Sequence, residues 1–459
     1  MEDLLNRLLA GGGELADVFF EDRVARMVEG EDGGLERITT AREAGVGMRI
    51  VRDGVTSFAT SVDLRPKTLI DLARYIASGS KKGKGVTISG LRSQPPGALV
   101  VEEDLSATPL EDEGRMVMDS LQAARALDAR IVQVKSVCRD SSAHVVIANS
   151  LGIYAEDRRS HGVFLVQVVA SDGQNMQVGY EPRGGTGGVE VFASIDPEDV
   201  AVTAARRAVT ILEAPEAPAG PMTVVLTAEA GGTMIHEAVG HGLEADLTGQ
   251  GLSVYSGRIG EKVASDLVTV VDDPTLPGRR GSYNFDDEGV AARRTVLVEN
   301  GVLRTYMNDL VTARRDGVEP TGNGRRQSFR HWPIPRMSNT IILPGRDDPE
   351  SIVRSVQSGL LVRKMGGGQV NTVTGDFVFE VSEGYLIRGG EVAGPVRGAT
   401  LAGNGPEVLR SVDMLGSDLG FGLGTCGKEG QGVPVGDAQP TLRLPEIVVG
   451  GRDSGGHSG

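Results

Sequence analysis

His236-Glu237-Ala238-Val239-Gly240-His241 sets two imidazoles around a carboxylate within six residues, inside a segment of helical character. These are parts of a metal-dependent hydrolase: two ligands, and a base for water. The common pattern, His-Glu-x-x-His, stacks its histidines one turn apart on one helix face. Here Gly240 intervenes and the second histidine comes one residue late. Residues five apart on a regular α-helix diverge by roughly 140° around the axis. Both rings reach one ion only if the helix widens, as in a single π-type turn, or ends there.

The surroundings of the motif point the same way. Gly231, Gly232, Gly240 and Gly242 are expected in this one helix, each costing about 1 kcal/mol relative to alanine. Close approach of another backbone or a substrate would explain them. Glu244 and Asp246 are candidates to hold an imidazole N–H, or are simply solvated helix acids. Two histidines leave a catalytic metal one protein ligand short. The candidates are Cys426, His331, His144, His161, Cys138 and any carboxylate. Cys426 stands out, because Gly420, Gly422, Gly424 and Gly427 let its backbone come close to an ion. Cys138 ends an apolar alternation and reads as a buried, inert thiol. Gly422-x-x-x-x-Gly427-Lys428 is a near-miss to a phosphate-binding loop, with Glu429 where Ser or Thr is required.

Composition narrows the classes further. The chain has 459 residues, enough for two or three domains with real cores. A formal net charge of −15 argues against a nucleic-acid binder, for no basic surplus is left to meet phosphates. No run of eighteen apolar residues spans a membrane. Acids at Glu2 and Asp3 replace the positive charge a signal peptide needs, and two cysteines make no disulfide framework. A cytoplasmic location is the expectation.

The expected fold class is α+β: an N-terminal domain of antiparallel strands and helices, then a β-rich C-terminal domain carrying the metal-site helix. Helices are expected at 3–10, 66–78, 107–128 and 197–213. Strands are expected at 16–29, 46–52, 55–60, 130–147 and 163–170. Ser80 to Ala98, rich in Lys, Gly and Pro, reads as a mobile loop. A Pro/Ala connector at 213–221 separates domains at 1–212 and 222–451, and 452–459 reads as a disordered tail. A strand follows the connector at Met222 to Leu226. Asp53-Gly54, Asn300-Gly301 and Gly389-Gly390 read as two-residue hairpin turns.

The motif, taken with Gly424-Thr425-Cys426-Gly427-Lys428 and Gln431-Gly432-Val433-Pro434-Val435-Gly436, resembles the TldD/PmbA family, and within it the TldD type. Tyr283 to Gly289, Gly322 to Arg326 and Pro335 to Thr340 agree in the family's order. The resemblance implies a zinc metallopeptidase whose metal is held by His236, His241 and Cys426. It also implies a paralogous partner, PmbA (also called TldE), or a second copy. The pair would enclose a chamber that admits unfolded peptides of little sequence preference. The chain departs from the family pattern at Phe329-Arg330-His331-Trp332, where Arg330 and Trp332 would alter substrate preference.

On this basis Glu237 is the expected general base, and His331 the expected donor to the developing oxyanion. Arg325, Arg326 and Arg336 would hold a peptide carboxylate or pair with the acidic turn Asp286-Asp287-Glu288. The alternatives are a hydrolase of small amides using the same site and a non-catalytic, metal-binding subunit.

Overall fold

Asp53-Gly54, Asn300-Gly301 and Gly389-Gly390 all have positive φ at both residues, the backbone that matches a two-residue turn to the twist of its strands. Each joins the two antiparallel strands expected of it. The computed structural model describes residues 1–78, 86–95 and 97–451. The loop expected between Ser80 and Ala98 lies partly outside the described residues, and the 452–459 tail wholly so.

The fold is α+β, as expected. In the N-terminal half run α1 (Glu2–Leu9), β1 (Leu15–Glu31), β2 (Gly34–Arg52), β3 (Val55–Ser61), α2 (Pro66–Ser78) and α3 (Leu110–Leu127). Then come β4 (Ile131–Asn149), β5 (Ile153–Ser171), β6 (Met176–Thr186) and α4 (Pro197–Glu213). The strands lie antiparallel in the order β3-β2-β1-β4-β5, with β6 also paired to β5. α4 shows how the sequence sets a boundary. Asp196 accepts hydrogen bonds from the N–H groups of Glu198 and Asp199, and Pro197 occupies the first turn. Its apolar face, Ala201, Ala204, Ala205 and Ala208, packs with Val117 and Leu121 of α3 over Val134 and Phe164 of the sheet. α1 and α2 cover a second cluster around Val18, Met48 and Ile50.

Three strand stretches escape the pattern. The first half of β2 is exposed on both faces, so no apolar alternation marks it. The first half of β5 is rich in charged and polar residues, and β6 carries three glycines. In each, pairing with long neighbours rather than local pattern decides the strand.

Beyond the connector run β7 (Gly220–Leu226), β8 (Val270–Asp272), β9 (Thr295–Glu299), β10 (Val302–Leu303), β11 (Asn339–Ile342) and β12 (Ser358–Val370). They are followed by β13 (Asp376–Arg388), β14 (Glu391–Val396), β15 (Thr400–Asn404), β16 (Gly420–Lys428), β17 (Gln431–Gln439) and β18 (Leu442–Gly450). β12-β7-β18-β15-β13 pair in that order, and β13 pairs back to β12, so five strands close into a barrel. A second sheet runs β10-β9-β8-β11-β17-β16, with β16 as its outer strand. β16 and β17 meet in another two-residue turn, Glu429-Gly430, again with positive φ at both. The phosphate-loop near-miss is therefore one strand of a hairpin. No helix among the described residues is long and apolar enough to cross a membrane.

The two halves are joined by buried ions and by one aromatic insertion. Arg49, 1% exposed, donates to Asp17 at 2.5 Å and to Glu288. Arg326 reaches Asp17 at 3.0 Å, and Arg159 pairs with Asp287. The acidic turn 286–288 is thus consumed largely by arginines of the N-terminal sheet. Phe329 fills the space left by Gly45, where a Cβ would stand 2.3 Å from its ring. Arg330 pairs with Glu43, and Trp332 meets Phe58 edge to face at 5.9 Å. The unusual 329–332 stretch therefore clasps β2 and β3. Arg49→Met is expected to lower stability by about 3–5 kcal/mol, because it strips a buried partner from Asp17 and Glu288. Urea denaturation followed by circular dichroism measures it; an unshifted midpoint would deny the ion cluster this role.

Candidate metal centre

Thr233 to Leu243 forms one helical segment of changing pitch: an α turn at Thr233–Ile235, a π turn at His236–Gly240 and a 3₁₀ turn at His241–Leu243. The His241 N–H donates to His236 C=O, five residues back, so the expected widening is present. Gly231 and Gly232 precede the helix rather than lying in it, and no helix penalty applies to them. What they allow is approach. A Cβ on Gly232 would stand 2.4 Å from the Ala438 nitrogen, and the Gly232 N–H donates to Asp437 Oδ1 at 2.9 Å. Met337 crowds Gly240, and Tyr255 crowds Gly242. The neighbours that require glycine are the protein's own.

β17 is thereby pressed against the start of the helix, and its partner β16 carries Cys426 to the histidines. The ligand atoms of His236, His241 and Cys426 all lie within 4.8 Å of one another. Cys426 Sγ is 3.4 Å from His241 Nε2. The two imidazoles stand edge to face, with centroids 5.1 Å apart. Arg336 donates to the backbone carbonyls of Cys426 and Gln431, which fixes the hairpin end. Glu237 points its carboxylate to within 4.0 Å of His241 Nε2 and remains 29% exposed.

A buried chain of charge backs His241. Its Nδ1 pairs with Glu244 Oε2 at 3.0 Å. Lys428 Nζ donates to Glu244 at 3.0 Å, to Asp246 at 2.7 Å and to the Pro335 carbonyl at 3.2 Å. Burial alone would raise the Glu244 carboxyl, but the Lys428 charge and His241 hold it down at about 2. Burial likewise pushes the Cys426 thiol up, yet hydrogen bonds from His236 and His241 bring it to about 5. A thiolate is the ligand form of cysteine. His236 Nδ1 is buried without a hydrogen-bond partner, an arrangement that costs free energy unless a cation takes the lone pair. Two imidazoles and a thiolate are a donor set for a borderline-soft metal ion, and the residues fit one.

The other candidates sit apart. His144 pairs with Glu156 at 2.8 Å on the sheet surface, and His161 with Thr186 at 2.9 Å. Cys138 is fully buried beneath α3, and burial drives its thiol pKa well up. His331 Nδ1 meets Ser328 Oγ at 3.1 Å. Its charged surroundings are Arg23, Arg326, Glu21 and Arg330, none of them part of the triad, and burial with the arginines lowers its pKa. Arg325 donates to the carbonyls of Met337 and Pro434. Sequence reading gave Lys428 and Asp437 no role. For Lys428 a signal existed: two residues beyond Cys426 on a strand, it shares that face.

The chain is similar to known metallopeptidases along its length. Three family models cover the chain: PmbA/TldA metallopeptidase domain 1 over residues 16–77, the central domain over 103–212 and the C-terminal domain over 219–451. A metalloprotease TldD homolog of Haemophilus influenzae is 38% identical, over 95% of this chain and 93% of that protein. The chain belongs to the TldD/PmbA family. Two solved structures share the fold. One, described as a modulator of a DNA gyrase from Thermotoga maritima, has a TM-score of 0.79 at 23% identity, covering 95% of this chain and 96% of that one. The other, TldE from Thermococcus kodakarensis, has a TM-score of 0.73 at 19% identity, covering 95% and 97%.

Glu244→Ala should weaken metal binding by about 10–100-fold, because it frees the His241 ring and leaves Lys428 facing it. Competition with a chromogenic chelator reads this directly; unchanged affinity would make the Glu244–Lys428 pair purely architectural.

Proposed function

We propose that this TldD-type metallopeptidase holds zinc with His236, His241 and Cys426 and hydrolyses short or unfolded peptides with little regard to sequence. The observation that carries the reading is the π turn. It brings both histidines to one thiolate and leaves the half-buried Glu237 carboxylate beside them. Zinc, when bound, supplies Lewis acidity that polarises a peptide carbonyl and acidifies water. Glu237 accepts a proton from the attacking water and returns it to the leaving amine. Glu244 holds His241 Nδ1 and so fixes which ring nitrogen is free. His331 is the outlying member of the proposal: with Nδ1 engaged by Ser328, its Nε2 is assigned to the developing oxyanion.

Indifference to side chains follows from backbone recognition. Cys426 lies on β16, the outer strand of its sheet, and an extended peptide added there is held by main-chain hydrogen bonds that every sequence offers. The reading includes a cytoplasmic enzyme that pairs with a TldE-like subunit, or with a second copy, around a closed chamber. The likeness to the solved TldE fold supports a common architecture for two such subunits.

The test joins metal analysis to peptide cleavage, by the chain alone and with any subunit that co-purifies. The purified protein should carry zinc. Glu237→Ala should keep the zinc and lose about 10²–10⁴-fold in kcat, whereas full activity in that variant would remove Glu237 as the base. His331→Ala should lower kcat without changing metal content; an unaltered kcat removes His331 from the mechanism. Folded proteins cleaved as readily as unstructured peptides would sink the chamber.

A further inference from the structure

Between the N-terminal sheet and the β16–β17 hairpin lies a cavity of 580 Å³. β1, β4 and β5 wall one side; Thr425 and Pro434 wall the other. Seven arginines but only three acids line it. The acids are spoken for: Glu21 pairs with Arg23, Asp140 with Arg26 and Asp287 with Arg159. Arg326 pairs outside the cavity, with Asp17. Arg139, Arg280 and Arg325 thus remain, and among the described residues no ion pair serves them.

Arg325 is satisfied by two backbone carbonyls, but Arg280 is not fully engaged. It donates Nε to the Gly424 carbonyl at 3.1 Å and Nη2 to Thr425 Oγ1 at 3.4 Å, which leaves Nη1 for a ligand. Burial, with Arg325 and Arg139 nearby, brings the Arg280 guanidinium down to about 10. Burial, then the charges of Arg280, Arg325, Arg159 and Arg23, hold the His161 imidazole well below its usual range. Of the three arginines, Arg325 is buried, Arg280 partly so and Arg139 exposed at the rim; like charges gathered at one cavity are relieved by an anion, and guanidinium suits a planar carboxylate.

The place of the cavity says which anion. Thr425 lines it and Cys426 follows at once, turned to the opposite face of the same outer strand. A peptide lying beside β16, the outer strand of its sheet, can therefore put one end over the metal ligands and the other in the cavity. We propose that this cavity binds a carboxylate of the peptide substrate, C-terminal or side-chain, so that a chain of net charge −15 nonetheless prefers peptides that carry one carboxylate at this place, whatever their other side chains. The inference rests on the peptidase reading above.

The experiment uses the full, metal-loaded chain carrying Glu237→Ala and three fluorescein-labelled hexapeptides of otherwise equal sequence. One is neutral and amidated, one has a free C-terminus, and one is amidated with a single glutamate. Fluorescence anisotropy should show one or both carboxylate peptides binding about tenfold or more tightly than the neutral one; the peptide that gains identifies the source. Arg280→Gln and Arg139→Gln should each reduce that preference, read as the ratio of affinities for the carboxylate and neutral peptides, and Arg280→Lys should retain part of it. Equal affinity for all three peptides overturns the proposal, as does a preference that survives both glutamine variants. Hydrolysis by the unaltered chain is scored separately. Cleavage without carboxylate preference removes this assignment alone, and preference without cleavage removes only the peptidase reading.

Discussion

The hydrogen bond from the His241 N–H to the His236 carbonyl spans one residue more than an α-helix allows, and the metal site depends on that extra residue. In an α turn the same N–H would reach back to Glu237, and the two rings would splay. The wide turn instead sets them edge to face. It holds because its surroundings are filled: Met337 lies against Gly240, Tyr255 against Gly242, and Asp437 takes the Gly232 N–H at the helix start. The irregularity and the hairpin that supplies Cys426 are thus one construction. β17 bonds to the helix start through Asp437, while Val433 and Val435 join the apolar cluster that contains Val239 and Leu243.

Buried charge does a second kind of organising. Arg336 and Arg325 spend their donors on backbone carbonyls of the hairpin and of Met337. Arg49, Arg159 and Arg326 tie the acidic turn at 286–288 to the N-terminal sheet. Lys428 fastens the hairpin to Glu244 and Asp246, just past the metal helix. Such pairs add little net stability over apolar packing, but each is costly to break singly. They fix where the hairpin, the helix and the sheet must sit relative to one another.

Much of this was legible in the sequence where local physics decides. α2 and α4 begin and end at the expected residues, because Pro66 and the Asp196-Pro197 pair mark their starts and a helical apolar period fills them. The hairpin turns declared themselves through residues that accept positive φ. The π turn was readable from the single inserted residue, and Cys426 from its glycines. What stayed hidden depends on distant partners. Nothing near Asp437 announces that its partner Gly232 lies about two hundred residues away in sequence, and Lys428 is hinted at only by its place two residues after Cys426. The polar half of β2 carries no periodic signal, since neither of its faces is buried. Arg330 and Trp332, expected to alter substrate preference, also pair with Glu43 of β2 and Phe58 of β3, contacts that no local pattern announces.

Barrel closure has a consequence for the order in which the molecule can be made. β18 is the strand that fits between β7 and β15, and it follows directly on the hairpin that bears Cys426. A ribosome-bound chain can therefore complete the N-terminal sheet, with α1 to α4 packed, long before either the ring of strands or the ligand set exists. His236 and His241 must wait through some 185 further residues for their thiolate. Metal capture and closure of the barrel thus both wait on β16 to β18, and a nascent fragment that stops short of β16 has no complete metal triad with which to act on its neighbours.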